Sequence, residues 1–184
     1  MHAPWFLTQY QEWWSLGRLS LVFDVEFIVL VLRICNYTLQ HIPIASRTAD
    51  QIGVSLSDAC EECNGIAEKL SAICQRINPS GSLLRVQHLL FRALQLQCTG
   101  RTDTFWEALS DAIRVAQRIG LHRGRAAWPE LHEFEQDIRC KVYCSLYIWD
   151  RYGPYQNSSD YLSNTQGAVV SRSSWTSTRC CQRL

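Results

Sequence analysis

SLLRVQHLLFRALQLQCTGRTDTFWEALSDAIRVAQRIGLHR, residues 82–123, reads as two amphipathic helices joined by a tight turn. Over 82–98, Leu83, Val86, Leu90, Leu94 and Gln97 recur at steps of three and four, the pitch of one helix face. Gly100 then stands where a left-handed cap is expected. Thr104 and Glu107 have the spacing of a capping box for the next helix, whose stripe is Phe105, Leu109, Ala112, Ile113, Ala116 and Ile119. Gly120 stops it, with Leu121 supplying the apolar contact that accompanies such caps. So short a link favours an antiparallel pair.

The same period extends in both directions. Downstream, residues 134–152 carry Phe134, Ile138, Val142, Leu146 and Trp149 on one face, with Leu131 just before them. Pro129 suits a first helical turn, and Glu130, Glu133, Glu135 and Asp137 come early while Arg139, Lys141 and Arg151 come late, which complements the helix dipole. Upstream, Leu56, Ala59, Cys63, Ile66, Ala67, Leu70, Ile73, Cys74 and Ile77 mark a helix over 56–77. Ser55 and Asp58 have the spacing of its capping box, and Asn78, Pro79, Ser80 and Gly81 end it. A further helix is expected over about 19–39, apolar nearly all round and therefore central, before a polar link through Ser46, Arg47, Thr48 and Asp50. No run alternates as a strand does. The expectation is an all-α protein, an irregular antiparallel bundle of about five helices with a poorly ordered C-terminal tail.

Composition narrows the function. At 184 residues the chain suits one domain, and a compact body of about 150 residues buries roughly 68–70% of its unfolded surface. Its apolar fraction of 47% and charged fraction of 19% are ordinary for a globule. A formal charge of +1, with sixteen scattered arginines among the eighteen basic residues, gives no electrostatic reason for nonspecific nucleic-acid binding. The apolar run at 27–32 is far short of the ~20 residues of a membrane span. The beginning, MHAPWFLTQYQEWW, lacks the pattern of a secretion signal, so an intracellular protein is expected and the sequons at Asn36 and Asn157 lose their meaning. Nine cysteines, an odd number, are then read as reduced thiols. Cys35, Cys63, Cys74, Cys98, Cys140 and Cys144 fall within helical patterns, where each is expected to act as a small buried hydrophobe.

The order of these helices carries two signatures. Ala116, Gln117, Arg118, Ile119, Gly120, Leu121, His122 and Arg123 end one helix. Phe134, Glu135, Ser145, Leu146, Tyr147, Asp150, Arg151 and Tyr152 mark the next. Together they resemble the regulatory middle homology domain of fungal zinc-cluster transcription factors, over about residues 20–152. The resemblance implies a nuclear regulator of RNA polymerase II transcription that offers helix faces rather than performing a reaction. It also implies that DNA is read by a separate N-terminal module holding two zinc ions with six cysteines. No segment here has that module's spacing, so neither a cofactor nor DNA contact is expected of this chain. Residues 1–152 are then a partial regulatory domain. Residues 153–184, rich in Ser, Thr, Asn and Gln, are read as an irregular tail, an altered or truncated terminus beginning at Gly153 and Pro154.

Other residue clusters with possible chemistry read more simply as packing. Cys60 and Cys63 form a CxxC pair, but a zinc site needs about four ligands and no second pair lies at a matching distance. Arg114, Arg118, His122, Arg123 and Arg125 form the densest basic patch. They are read as cations at a helix C-terminus, neutralised by the acids at 130–137, rather than as a phosphate site. Asp150 and Arg151 are read as a structural ion pair. Trp106, Tyr143, Tyr147, Trp149 and Tyr152 are read as core and interface anchors, among which a bundle has room for a small effector. No Walker, Rossmann, nucleophile-elbow or HExxH motif occurs. Protein partners, or self-association through exposed helix faces, are therefore expected, and no membrane. The rival readings are a solenoid-type interaction scaffold, although no period near 34 residues repeats, and an enzyme built on dispersed carboxylates.

Overall fold

The computed structural model describes residues 3–16, 22–41 and 55–156. Its elements are α1 (Ala3–Leu16), α2 (Val22–His41), α3 (Leu56–Ile77), α4 (Leu83–Cys98), α5 (Thr102–Arg118), two 3-10 turns (Leu121–Arg123 and Arg125–Ala127) and α6 (Glu133–Gln156). The fold is all-α, and the described residues contain no strand. The described residues form six helices where about five are expected, the additional one being residues 3–16.

α2 is central. It packs closely along α3 and along α4, and its Phe27 also receives Phe6 and Trp13 of α1, with ring centroids 5.7 and 6.0 Å apart. α4 and α5 form the most extensive pair, as their three-residue link requires. α6 lies more lightly across α5 and α4. Helices α3 to α6 do not stack as equivalent hairpins, the arrangement a solenoid needs, because α3 packs chiefly on α2.

The main core lies between α4, α5 and α6. Val86, Ala93, Phe105, Ala108, Leu109, Ala112, Ala116, Leu121 and Leu146 are all at most 2% exposed, and burying each large side chain contributes about 1.5–3 kcal/mol. Phe105 meets Trp106 at 4.8 Å and Trp149 at 6.0 Å, both edge-on.

Several ends depart from expectation for physical reasons. Ser55 precedes α3, but its side chain makes no capping bond, whereas Ser82 Oγ accepts the Arg85 amide at 3.1 Å. α5 begins at Thr102, ahead of the Thr104–Glu107 pair, and Thr104 Oγ1 donates back to the Arg101 carbonyl at 3.0 Å instead of capping. Pro129 lies in a turn and not in a first helical turn. α6 starts four residues later, where His132 Nδ1 accepts the Phe134 amide at 3.2 Å. α6 also runs on through Gly153 and Pro154 to Gln156, so the helix does not end at Tyr152. The polar link at 46–50 and the tail from 157 onward lie outside the described residues.

Gly81 closes the turn between α3 and α4 at φ +89°, and a Cβ there would come within 2.5 Å of Val115 Cγ1. Only glycine satisfies both the backbone and that close approach.

α3 turns its apolar residues in two directions. Its inward face is made of small residues, with Ala67 and Cys74 buried, while Ile66, Ile73 and Ile77 are exposed. Small side chains let α3 approach α2 closely, and the large apolar stripe faces outward.

Candidate functional site

The two signatures fall at one end of α5 and along α6, and their parts are mostly structural. Ala116 and Leu121 are buried, and Gly120 holds the left-handed cap at φ +78°. Arg118, exposed, donates to the Pro79 carbonyl and so ties the end of α5 to the α3–α4 turn. His122 is half-buried, with no partner for Nδ1, and Arg123 is exposed. Arg125 pairs with Asp137 and Arg114 with Asp111, so the basic patch is partly neutralised, once from the expected acidic cluster. On α6, Phe134 packs against the core and Leu146 is fully buried. Glu135 pairs with Arg139 at 3.2 Å, and Ser145 Oγ donates to the Lys141 carbonyl at 2.9 Å. The Arg151 guanidinium lies 5.4 Å above the Tyr147 ring, and Asp150 is half-buried. The Tyr152 side chain is outside the described residues.

Of the cysteines, Cys74, Cys140 and Cys144 are buried as expected, but Cys35 and Cys98 are exposed. Although the residue as a whole is exposed, desolvation of its partly covered sulfur, then the neighbouring Cys63, raises the Cys35 thiol pKa. Cys60 and Cys63 are half-buried, and among the described residues no group of three or more His, Cys, Asp or Glu side chains is placed to hold a metal ion. No described helix is long and apolar enough to cross a membrane.

The chemically unusual place lies elsewhere, between α2, α3 and α4. α2 presents Glu26, Val29, Arg33, Asn36 and Gln40, and α4 with its C-cap residue presents Arg85, His88, Arg92, Gln95 and Thr99, each row stepping 3, 4, 3, 4. That is the spacing of a helix-packing seam, but it is filled largely with polar groups. Glu26 and Arg85 are both buried and pair at 2.8 Å. Ser82 Oγ donates to the other Glu26 oxygen, and Arg85 Nη1 donates to the Asn78 carbonyl at 2.7 Å. A turn further on, Glu68 Oε1 of α3 holds Arg33 at 2.9 Å and Arg92 at 2.8 Å, while Arg33 also donates to Asn64 Oδ1. Burial lowers the Arg33 pKa, and the Glu68 carboxylate opposes that shift.

His88 sits between the two ion-paired groups, 1% exposed, with neither ring nitrogen partnered. Its pKa falls to about 3, first through burial and then through the charges of Arg33, Arg85 and Arg92. Asn36 is likewise buried without a partner for its side-chain amide. At its α3–α5 end the seam opens into a polar cleft of about 180 Å³, lined among others by Asn64, Glu68, Arg92, Gln95 and Arg101.

Sequence reasoning missed this seam. The available signal was α2 itself: a helix apolar nearly all round leaves Glu26, Arg33 and Asn36 no solvent side. They therefore require buried partners.

Comparison with known proteins places these helices in a family. The model of the fungal specific transcription factor domain matches residues 38–153, from the end of α2 to α6. Glu26 and Arg33 lie ahead of that match although they hold Arg85 and Glu68 inside it. Transcription factor xilB of Penicillium rubens is 40% identical over 172 residues, covering 89% of this chain and 26% of its own length. Probable transcription factor sol4 of Alternaria solani is 38% identical over 149 residues, covering 79% of this chain and 27% of its own. This chain thus spans about a quarter of the length of these relatives. No solved structure matches it. The charged seam and the α4–α6 core are therefore features of a chain that belongs to the fungal specific transcription factor domain family.

Proposed function

We propose that this chain is a regulatory part of a fungal zinc-cluster transcription regulator, acting in the nucleus on RNA polymerase II transcription without itself contacting DNA. The family match and the two transcription-factor relatives support regulation of transcription. In this reading DNA and zinc belong to a separate module, and this chain works by presenting helix faces to protein partners. It performs no reaction.

The observation that carries the mechanism is the α2–α3–α4 seam. Buried ion pairs add little net stability but are steeply destabilising when one partner is lost. α2 meets α4 through the apolar contact of Phe27 and Leu30 with Leu84 and, in the seam, through Glu26–Arg85 and its neighbours beside the unpartnered His88. Such an interface has a small margin between made and unmade. A partner or effector that binds the two arrangements unequally shifts the balance between them.

The test fuses the 184-residue chain to a heterologous DNA-reading module upstream of a reporter gene. The fusion is expected to change reporter output relative to the module alone, and Glu26→Ala is expected to alter that change. Reporter output indifferent to the chain would overturn the regulatory reading. Sequence-selective DNA binding by the chain alone at physiological salt would overturn the non-contacting part.

A further inference from the structure

α3 turns its largest apolar side chains away from the rest of the molecule. Ile66 is 41% exposed, Ile73 48% and Ile77 62%. Ala59, Cys63, Ile66, Leu70, Ile73 and Ile77 are spaced 4, 3, 4, 3 and 4 residues apart. That is the seven-residue repeat of a coiled-coil seam, about 27 Å long at the α-helical rise, in which Ala59, Cys63 and Leu70 are half-buried between the exposed isoleucines. Single exposed apolar residues are ordinary, but a continuous row in register marks an interaction surface.

We propose that α3 pairs with α3 of a second copy of this chain, antiparallel, across a two-fold axis near residue 68. The flanks of the stripe select both occupant and direction. On one flank stand Glu62, Lys69 and Arg76, all exposed and in no ion pair among the described residues. On the other stand Cys60, Ala67 and Cys74, of which Ala67 and Cys74 are buried in the chain's own bundle.

A parallel pair would set the charged flank against that uncharged, covered one. An antiparallel pair sets the charged flank against itself. Glu62 then meets the partner's Arg76, and Arg76 the partner's Glu62, so the complementary contact occurs twice by symmetry. The same register layers Ile66 on the partner's Leu70, Ile73 on the partner's Cys63 and Ile77 on the partner's Ala59. The two copies of Lys69 meet near the axis, where their long stems lie along apolar surface and carry the ammonium groups out to water. This pairing is a property of α3 and is independent of the regulatory reading.

The test is sedimentation equilibrium of the 184-residue chain with charge-swapped variants. The wild type is expected to form a dimer that dissociates on dilution. Ile73→Asp, at a position already half in water, is expected to give a monomer with unchanged helical circular dichroism. Glu62→Arg and Arg76→Glu, each placing like charges opposite one another twice, are each expected to weaken the dimer about tenfold. The double variant E62R/R76E restores opposite charges and is expected to recover the wild-type association. A wild type that stays monomeric at all concentrations overturns the proposal. So does a double variant no tighter than the single ones, or association indifferent to Ile73→Asp.

Discussion

α4 separates two interiors built on opposite principles. Toward α5 and α6 it offers Val86, Leu89 and Ala93 to a core of apolar side chains. Toward α2 and α3 it sets Leu84 on Phe27 and Leu30, and beside them offers Arg85 and Arg92 to carboxylates while His88 stays buried without a partner. The first side gains free energy in proportion to buried area and tolerates approximate shape. The ion pairs of the second side add little net, since desolvation of each charge nearly cancels its pairing, but they depend on every partner being present. One helix thus joins a tolerant half to an exacting half. The exacting half is where a small perturbation changes the fold's geometry.

The largest effects test that contrast directly. Phe105→Ala should cost about 3–5 kcal/mol in denaturant unfolding, through lost burial and the cavity left behind. Glu26→Ala should cost a similar ~3–5 kcal/mol, by leaving Arg85 buried without its carboxylate. Second substitutions then separate the two halves. Leu109→Ala added to Phe105→Ala should deepen the loss, whereas Glu26→Met combined with Arg85→Met should recover most of it. A Met–Met double variant as unstable as Glu26→Ala alone would show that the seam is held by something other than its charges.

Next in size is the response to acid. The unfolded chain takes up a proton at His88 near pH 6.5, while the folded chain does not until about pH 3. Stability from this group is therefore full above pH 6.5 and falls by about 1.4 kcal/mol for each pH unit from there down to about pH 3. Urea midpoints at pH 7 and pH 4.5 should separate more widely for the wild type than for His88→Leu. Equal separations would mean that His88 is protonated or solvated in the folded chain.

Glu68→Gln comes third, at about 1–3 kcal/mol, because one carboxylate oxygen holds both Arg33 and Arg92. Glu68 is 42% exposed, so added salt should shrink the loss. The loss from Glu26→Ala, between buried partners, should change far less. A salt response equal for both would remove the distinction between the open and closed ends of the seam.

The tolerant half was legible in the sequence and the exacting half was not. The helices expected over 56–77 and 82–98 are found as Leu56–Ile77 and Leu83–Cys98, and Gly100 and Gly120 both hold positive φ. Apolar periodicity and glycine caps report the physics that governs those places. The row of Arg85, His88 and Arg92 has the same period, but polar residues at helical spacing ordinarily mean a solvated face. Only the lack of any solvent side on α2 argues otherwise. On α3 the period identifies the helix but not the direction in which its stripe faces. Apolar spacing identifies a stripe but not whether its neighbour belongs to the same chain, and Ile66, Ile73 and Ile77 face outward. The α5 and α6 signatures were equally legible, yet most of their residues cap, staple or fill.

The smallest expected effect concerns two serines that look alike in sequence. Both precede a helix and both resemble caps, but only Ser82 Oγ accepts an amide of its helix, while also donating to Glu26. Ser82→Ala should cost about 1 kcal/mol or somewhat more, the ordinary value of a cap with a buried carboxylate bond added. Ser55→Ala should change stability by only a few tenths of a kcal/mol, since no capping bond is lost. Ser82 is the point where local helix chemistry meets the seam, so its loss should also be partly masked when Glu26 is already replaced. Full additivity of Ser82→Ala with Glu26→Met would assign the whole effect to the cap and place Ser82 outside the charged network.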